Sequence, residues 1–125
     1  LIKVPDEVPS PLAASAACAL RTVIHAYERL GPINSADTVL IQGAGPLGLY
    51  ATAIAKDRGA RKVLVIGAPE TRLNVARDWG ADDVCNLDDV AELKGEHKVF
   101  SRRTCFQYRY NVRWRGRNKF LFFRI

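Results

Sequence analysis

Apolar positions in this chain follow two spacings. Thr38-Val39-Leu40-Ile41-Gln42 and Lys62-Val63-Leu64-Val65-Ile66-Gly67 are short continuous apolar runs rich in β-branched residues, and they predict buried strands. Asp83-Val84-Cys85-Asn86 predicts a third, shorter strand. Between these runs the apolar residues recur at helical spacing. Leu20, Val23, Ile24, Tyr27 and Leu30 form one stripe. Its helix is expected to open at Ser10-Pro11, with Ser10 as N-cap and Pro11 in the first helical position, and to stop at Gly31-Pro32. Leu47, Tyr50, Ala51 and Ile54 predict a second helix that ends near Gly59. Leu73, Ala76 and Trp79 face the sheet from a third, opened by Pro69-Glu70 and ended by Gly80. Leu87 to Leu93 begin another, and Leu1 to Pro9 is an extended entry segment. Strands alternating with helices of this length predict an α/β fold with a parallel sheet and right-handed crossovers.

The first strand runs straight into Gly43-Ala-Gly45-Pro46-Leu47-Gly48, and a helical pattern follows at once. In that context three glycines at this spacing point to dinucleotide binding. Gly43 permits the tight turn, Gly45 lets a pyrophosphate approach the backbone, and Gly48 lets the helix pack closely on the strand. The open N–H groups and dipole at the helix start favour the phosphate charge. The plain alternative is a glycine turn that binds nothing.

A site that reads NAD places Asp or Glu at the end of the second strand to hold the ribose 2′-hydroxyl. Here that position is Gly67. The nearest acid is Glu70, with Arg72 close by. A missing carboxylate removes the repulsion that rejects a 2′-phosphate, which tilts the reading toward NADP. Glu70 is the alternative partner for the ribose, so NAD and NADP both stay open.

Composition divides the chain. It has 125 residues and a formal net charge of +6. Residues 1–93 hold nine Lys/Arg against twelve Asp/Glu, whereas residues 94–125 hold ten Lys/Arg against Glu96 alone. Eight of the eleven aromatic residues, and no alanine, lie in that last segment. The reading is therefore a partial dinucleotide-binding domain over 1–93 and a basic aromatic tail over 94–125. No apolar run is long enough for a membrane span and no secretory signal is visible. The first residue is Leu1, as expected of a chain that starts inside a longer protein. Cys18, Cys85 and Cys105 are odd in number and lack C-x-x-C spacing, which suits a reducing, cytoplasmic setting. Read alone, Cys18 is a small apolar residue of an alanine-rich helix, Cys85 a core residue of its strand, and His25 a solvated residue.

Four segments together resemble the coenzyme domain of the zinc-type medium-chain alcohol and polyol dehydrogenases: the stretches beginning at Cys18, Asp37, Lys62 and Ala76. The resemblance covers about two thirds of the chain. It implies hydride transfer between an alcohol carbon and nicotinamide C4, with a catalytic Zn²⁺ as Lewis acid. It also implies roles by position. Cys18 matches a zinc ligand and Thr22 a residue beside the nicotinamide. Gly45, Pro46 and Leu47 match the turn over the pyrophosphate and nicotinamide. Gly67 and Arg72 match the surroundings of the adenine ribose. Members of the family are usually homo-oligomers. The family's other zinc ligands and its substrate domain have no counterpart in this sequence, so the chain alone is expected to hold no zinc and to oxidise no alcohol.

The family pattern is lost near Lys94. From Phe106 to Trp114 apolar and polar residues alternate, Arg115-Gly-Arg-Asn118 is turn-like, and Lys119 to Ile125 is apolar again, a C-terminal β-hairpin by pattern. Three readings compete for this tail: a nucleic-acid surface, an edge hairpin that finishes a shortened fold, and sequence foreign to the fold. The missing alanines and the Arg/Phe excess favour the last. The alternative function is a non-catalytic nucleotide-binding module whose basic tail engages a partner or nucleic acid.

Overall fold

The computed structural model describes residues 3–87 and the strand at 118–122. A helical run opens the chain as α1 (Ser10–Ser15), passes through a wide π-helical segment at Ala16–Leu20, and continues as α2 (Arg21–Leu30). Then come β1 (Thr38–Gln42), α3 (Pro46–Asp57), β2 (Lys62–Gly67), α4 (Glu70–Asp78), β3 (Asp83–Asn86) and β4 (Asn118–Phe122). The three strands expected from the apolar runs form with the expected bounds. The first helix starts one residue early. Pro9 is its N-cap, and its carbonyl takes the N–H groups of Leu12 and Ala13, so the Ser10 hydroxyl does not cap.

The strands form one parallel sheet in the order β3-β2-β1-β4. This is the inner order of a doubly wound dinucleotide fold. It brings β1 to the middle, where its C-terminal end meets the start of α3. The fourth strand comes from the basic tail. Asn118–Phe122 lies parallel to β1, with Thr38 opposite Asn118 and Gln42 opposite Phe122. The other arm of the expected hairpin, 106–114, lies outside the described residues, as do the boundary near Lys94 and the helix expected after Leu87.

Alternation along the strands sends Val39, Ile41, Val63, Val65 and Val84 to one face. There they join Val23, Tyr27, Tyr50, Ala51, Ala55, Leu73 and Ala76 in a single core. Leu40, Leu64, Ile66 and Cys85 point to the other face and are buried too. Burial on both faces is what continuous apolar strands of a parallel sheet require. Each large aliphatic side chain so buried contributes about 1.5–3 kcal/mol. Two stripe residues depart from expectation. Ile24 and Trp79 are both exposed. Trp79 lies just past the end of α4 and meets the Tyr50 ring edge-on at 5.5 Å.

Two polar devices fix the helices in place, one between helices and one onto the sheet. The buried Tyr27 hydroxyl donates to the Ala51 carbonyl at 2.7 Å and joins α2 to α3, while the Arg58 guanidinium lies 5.1 Å over the same ring. Burial pushes the Tyr27 phenol well above its ordinary value, against a smaller opposing pull from Arg58. Asp82 takes Lys56 Nζ of α3 at 2.9 Å and the Val63 N–H of β2 at 2.6 Å. Partial burial pushes the Asp82 carboxyl up. The bonds from Lys56 and Val63 and the charges of Lys56 and Lys62 outweigh it and hold the group below the usual carboxylate value.

Candidate functional site: the glycine turn and the end of the second strand

The glycine turn sits at the C-terminal ends of β1 and β2, where open α/β sheets take their ligands. Gly43 has a φ of +115°, a conformation that L side chains rarely adopt. Its N–H donates to the Ile66 carbonyl at 2.7 Å and ties the turn to β2. Gly48 is glycine for a different reason. A Cβ there would stand 1.8 Å from the Gly43 carbonyl oxygen. The start of α3 is thus pressed directly onto the turn. Gly45 is the N-cap of α3, with extended backbone (φ −81°, ψ −176°), and its carbonyl takes the Leu49 N–H at 2.9 Å. Pro46 fills the first helical turn, and no side chain caps the helix. The Leu47 and Gly48 N–H groups therefore face the turn with the helix dipole behind them, an arrangement suited to an anion.

Gly67 closes the site from β2. A Cβ at Gly67 would lie 2.6 Å from the Ala44 Cβ and 2.8 Å from the Ala44 nitrogen. The place where a ribose-binding carboxylate would stand is occupied by the glycine turn itself, so a side chain there requires the turn to move. Glu70 is engaged elsewhere. Its Oε1 takes Arg77 Nη1 at 2.8 Å, and its Oε2 lies 3.4 Å from Asn86 Nδ2. The same Arg77 nitrogen also bonds Asn74 Oδ1. Arg72 is exposed, its N–H bonds the Pro69 carbonyl at 3.0 Å, and its guanidinium has no ion-pair partner among the described residues.

Cys18 and Thr22 come together at a second place. Cys18 is exposed and lies in the π-helical segment. The Thr22 hydroxyl donates to the Cys18 carbonyl at 2.8 Å, one turn back. With Ala17, Arg21, Ile24, His25 and Glu28 they line a hollow of about 620 Å³. The glycine turn does not line that hollow. Among the described residues no group of three or more His, Cys, Asp or Glu is placed to hold a metal ion. Among the described residues Cys18 therefore has no set of fellow ligands that fits a catalytic zinc. His25 is solvated as expected, near Glu28 at 3.4 Å and Arg29 at 3.3 Å, and Cys85 is buried. The widened helical turn at Cys18 and the Arg77–Glu70–Asn86 contacts were not legible from the sequence. Glu70 and Arg77 are two helical turns apart, a spacing that gave no signal without Asn86 across from them.

What these elements define is part of a Rossmann-type α/β domain with a dinucleotide-type turn. The chain is a homologue of part of the zinc-type medium-chain alcohol, threonine and polyol dehydrogenases. It is 40% identical over 100 residues to 5-exo-hydroxycamphor dehydrogenase of Pseudomonas putida, a match over 80% of this chain and 28% of that protein. Its fold is similar to acetophenone reductase of Geotrichum candidum in complex with NAD, with a TM-score of 0.62 and 40% identity over 67% of this chain and 24% of that one. A mycobacterial protein complexed with NADPH gives a TM-score of 0.61 and 33% identity over 74% of this chain and 31% of that one. The chain thus spans less than a third of the length of these relatives. No family model matches it. Among the described residues no helix is long and apolar enough to cross a membrane.

Proposed function

We propose that this chain is the NAD(P)-binding portion of a zinc-dependent oxidoreductase that transfers hydride between an alcohol or polyol and nicotinamide. The observation that carries the reading is the nested packing of Gly43, Gly48 and Gly67 beneath the uncapped start of α3. It leaves two backbone N–H groups and a helix dipole for a pyrophosphate. Gly45, Pro46 and Leu47 line the dinucleotide in this reading, and Gly67 and Arg72 lie about its adenine ribose, with Glu70 nearby but bonded to Arg77 and Asn86. Cys18 and Thr22, one turn apart on an exposed helical face, belong to the reaction side, with Thr22 beside the nicotinamide and Cys18 matching one zinc ligand whose fellow ligands have no counterpart in this sequence. Residues 94–125 depart from the family pattern, with 118–122 supplying a strand beside β1. Taken alone, these 125 residues bind dinucleotide without oxidising alcohol.

Thermal unfolding of the purified chain over a titration with NAD⁺ and NADP⁺ tests this. A ligand held only by the folded state raises the midpoint with concentration. A concentration-dependent rise with at least one cofactor, and no NAD(P)H formed from an alcohol, is the expected outcome. No rise with either cofactor overturns the proposal.

A further inference from the structure

Glu70 is the only carboxylate on the first turn of α4, and two residues restrain it. Arg77 holds Oε1 from two turns along the same helix. Asn86 approaches Oε2 from the last position of β3. The sheet order sets the direction of that restraint. β2 has β1 on one side and β3 on the other, and Asn86 pairs in register with Gly67. The glycine turn lies against Gly67 from the β1 side through Ala44. Glu70 is therefore drawn to the β3 side of the strand end, opposite the turn. Arg72, two residues on and nearly on the other flank of the helix, forms no ion pair with a carboxylate among the described residues.

We infer that Arg77, with Asn86, is a positioning residue for cofactor choice: it holds Glu70 away from the ribose 2′ position, so that a 2′-phosphate meets Arg72 without a facing carboxylate. The inference rests on the dinucleotide reading above and adds residues that touch no ligand. Freeing Glu70 by Arg77→Gln leaves a flexible carboxylate within reach of the ribose. Against a phosphate of nearly two charges at about 6 Å in water-like screening, it lowers NADP⁺ affinity relative to NAD⁺ by about tenfold.

The test is calorimetric titration of the full chain and its variants with NAD⁺ and with NADP⁺, reading the ratio of the two dissociation constants. A merely structural role for Arg77 weakens both cofactors together and leaves the ratio unchanged. The expected result is a ratio moved toward NAD⁺ in Arg77→Gln, restored in Arg77→Lys, and restored in the double variant Glu70→Gln/Arg77→Gln. An unchanged ratio in Arg77→Gln overturns the inference, and so does a shift that persists in the double variant. Binding of neither cofactor by the unaltered chain is a different failure: it removes the dinucleotide reading, and this inference with it.

Discussion

Gly48→Ala is the sharpest perturbation of the site, because it adds one methyl group where the backbone leaves no room. The new Cβ meets the Gly43 carbonyl oxygen at 1.8 Å and its carbon at 2.8 Å, with Ile41 Cγ2 at an ordinary 3.6 Å. To restore normal contact, helix and turn must part by about 1.6 Å. The obstacle is a peptide carbonyl, which cannot rotate aside as a side chain does. The turn is also fixed to β2 by the Gly43 N–H bond to Ile66. Overpacking of this kind costs about 3 kcal/mol, at the top of the usual range. Alanine in place of glycine within a helix returns about 1 kcal/mol. The net loss is about 2 kcal/mol, which for a domain of this size lowers the unfolding midpoint by about 10 °C. Thermal unfolding by circular dichroism reads it, and cofactor titration reads the displaced Leu47 and Gly48 N–H groups as weakened binding of NAD⁺ and NADP⁺ alike. Gly31→Ala is the control. Its φ of +82° with ψ of −173° costs backbone strain of about 1–3 kcal/mol, but nothing lies within 4 Å of the added methyl and the glycine turn is untouched, so stability falls while affinity for both cofactors is kept. If Gly48→Ala melts with the unaltered chain and binds cofactor as well, the packing account of the glycine turn is wrong.

Tyr27→Phe removes the buried bond to the Ala51 carbonyl and keeps the ring; it is expected to cost about 1 kcal/mol in denaturant unfolding, and no loss would mean that α2 and α3 need no polar tie. Asp82 has a pKa held below its unfolded value, so its contribution is present above the ordinary carboxylate value and fades as pH falls through the lowered folded value, below about pH 4. Asp82→Asn should therefore cost about 1 kcal/mol at neutral pH and flatten the acid limb of the stability curve, and an acid limb identical to that of the unaltered chain would refute the role given to Lys56 and Val63.

The parts of the fold readable in the sequence were those in which one segment's own pattern decides the outcome. Continuous β-branched runs have nowhere to go but a sheet buried on both faces, and β1, β2 and β3 formed where those runs stood. The glycine turn was readable because its spacing encodes a local geometry. Where a neighbour decides, the pattern misled. Ile24 belongs to the stripe by spacing, but the core closes on Val23 and Tyr27, and Ile24 faces outward. Ser10 has the chemistry of a cap, but the chain enters the helix one residue earlier. The tail is a different case: residues 118–122 pair parallel to β1, a partner that their own alternation does not name, while the other arm of the expected hairpin lies outside the described residues. Glu70 and Arg72 were singled out together, yet only the fold shows that Arg77 and Asn86 take the acid and leave the base.

The sheet order also sets a timetable for synthesis. β1 finds β2 within the next two dozen residues, but its partner on the other side is far along the chain: Thr38 pairs with Lys62 on one edge and with Asn118, 80 positions later, on the other. At a translation speed of about 5–20 residues per second, the central strand emerges several seconds before the segment that covers its second edge. Throughout that interval a newborn chain presents an unsatisfied row of backbone donors and acceptors, of the kind that recruits strands from neighbouring chains. Chaperone demand during translation would accordingly fall on this edge of β1 until residues 118–122 arrive.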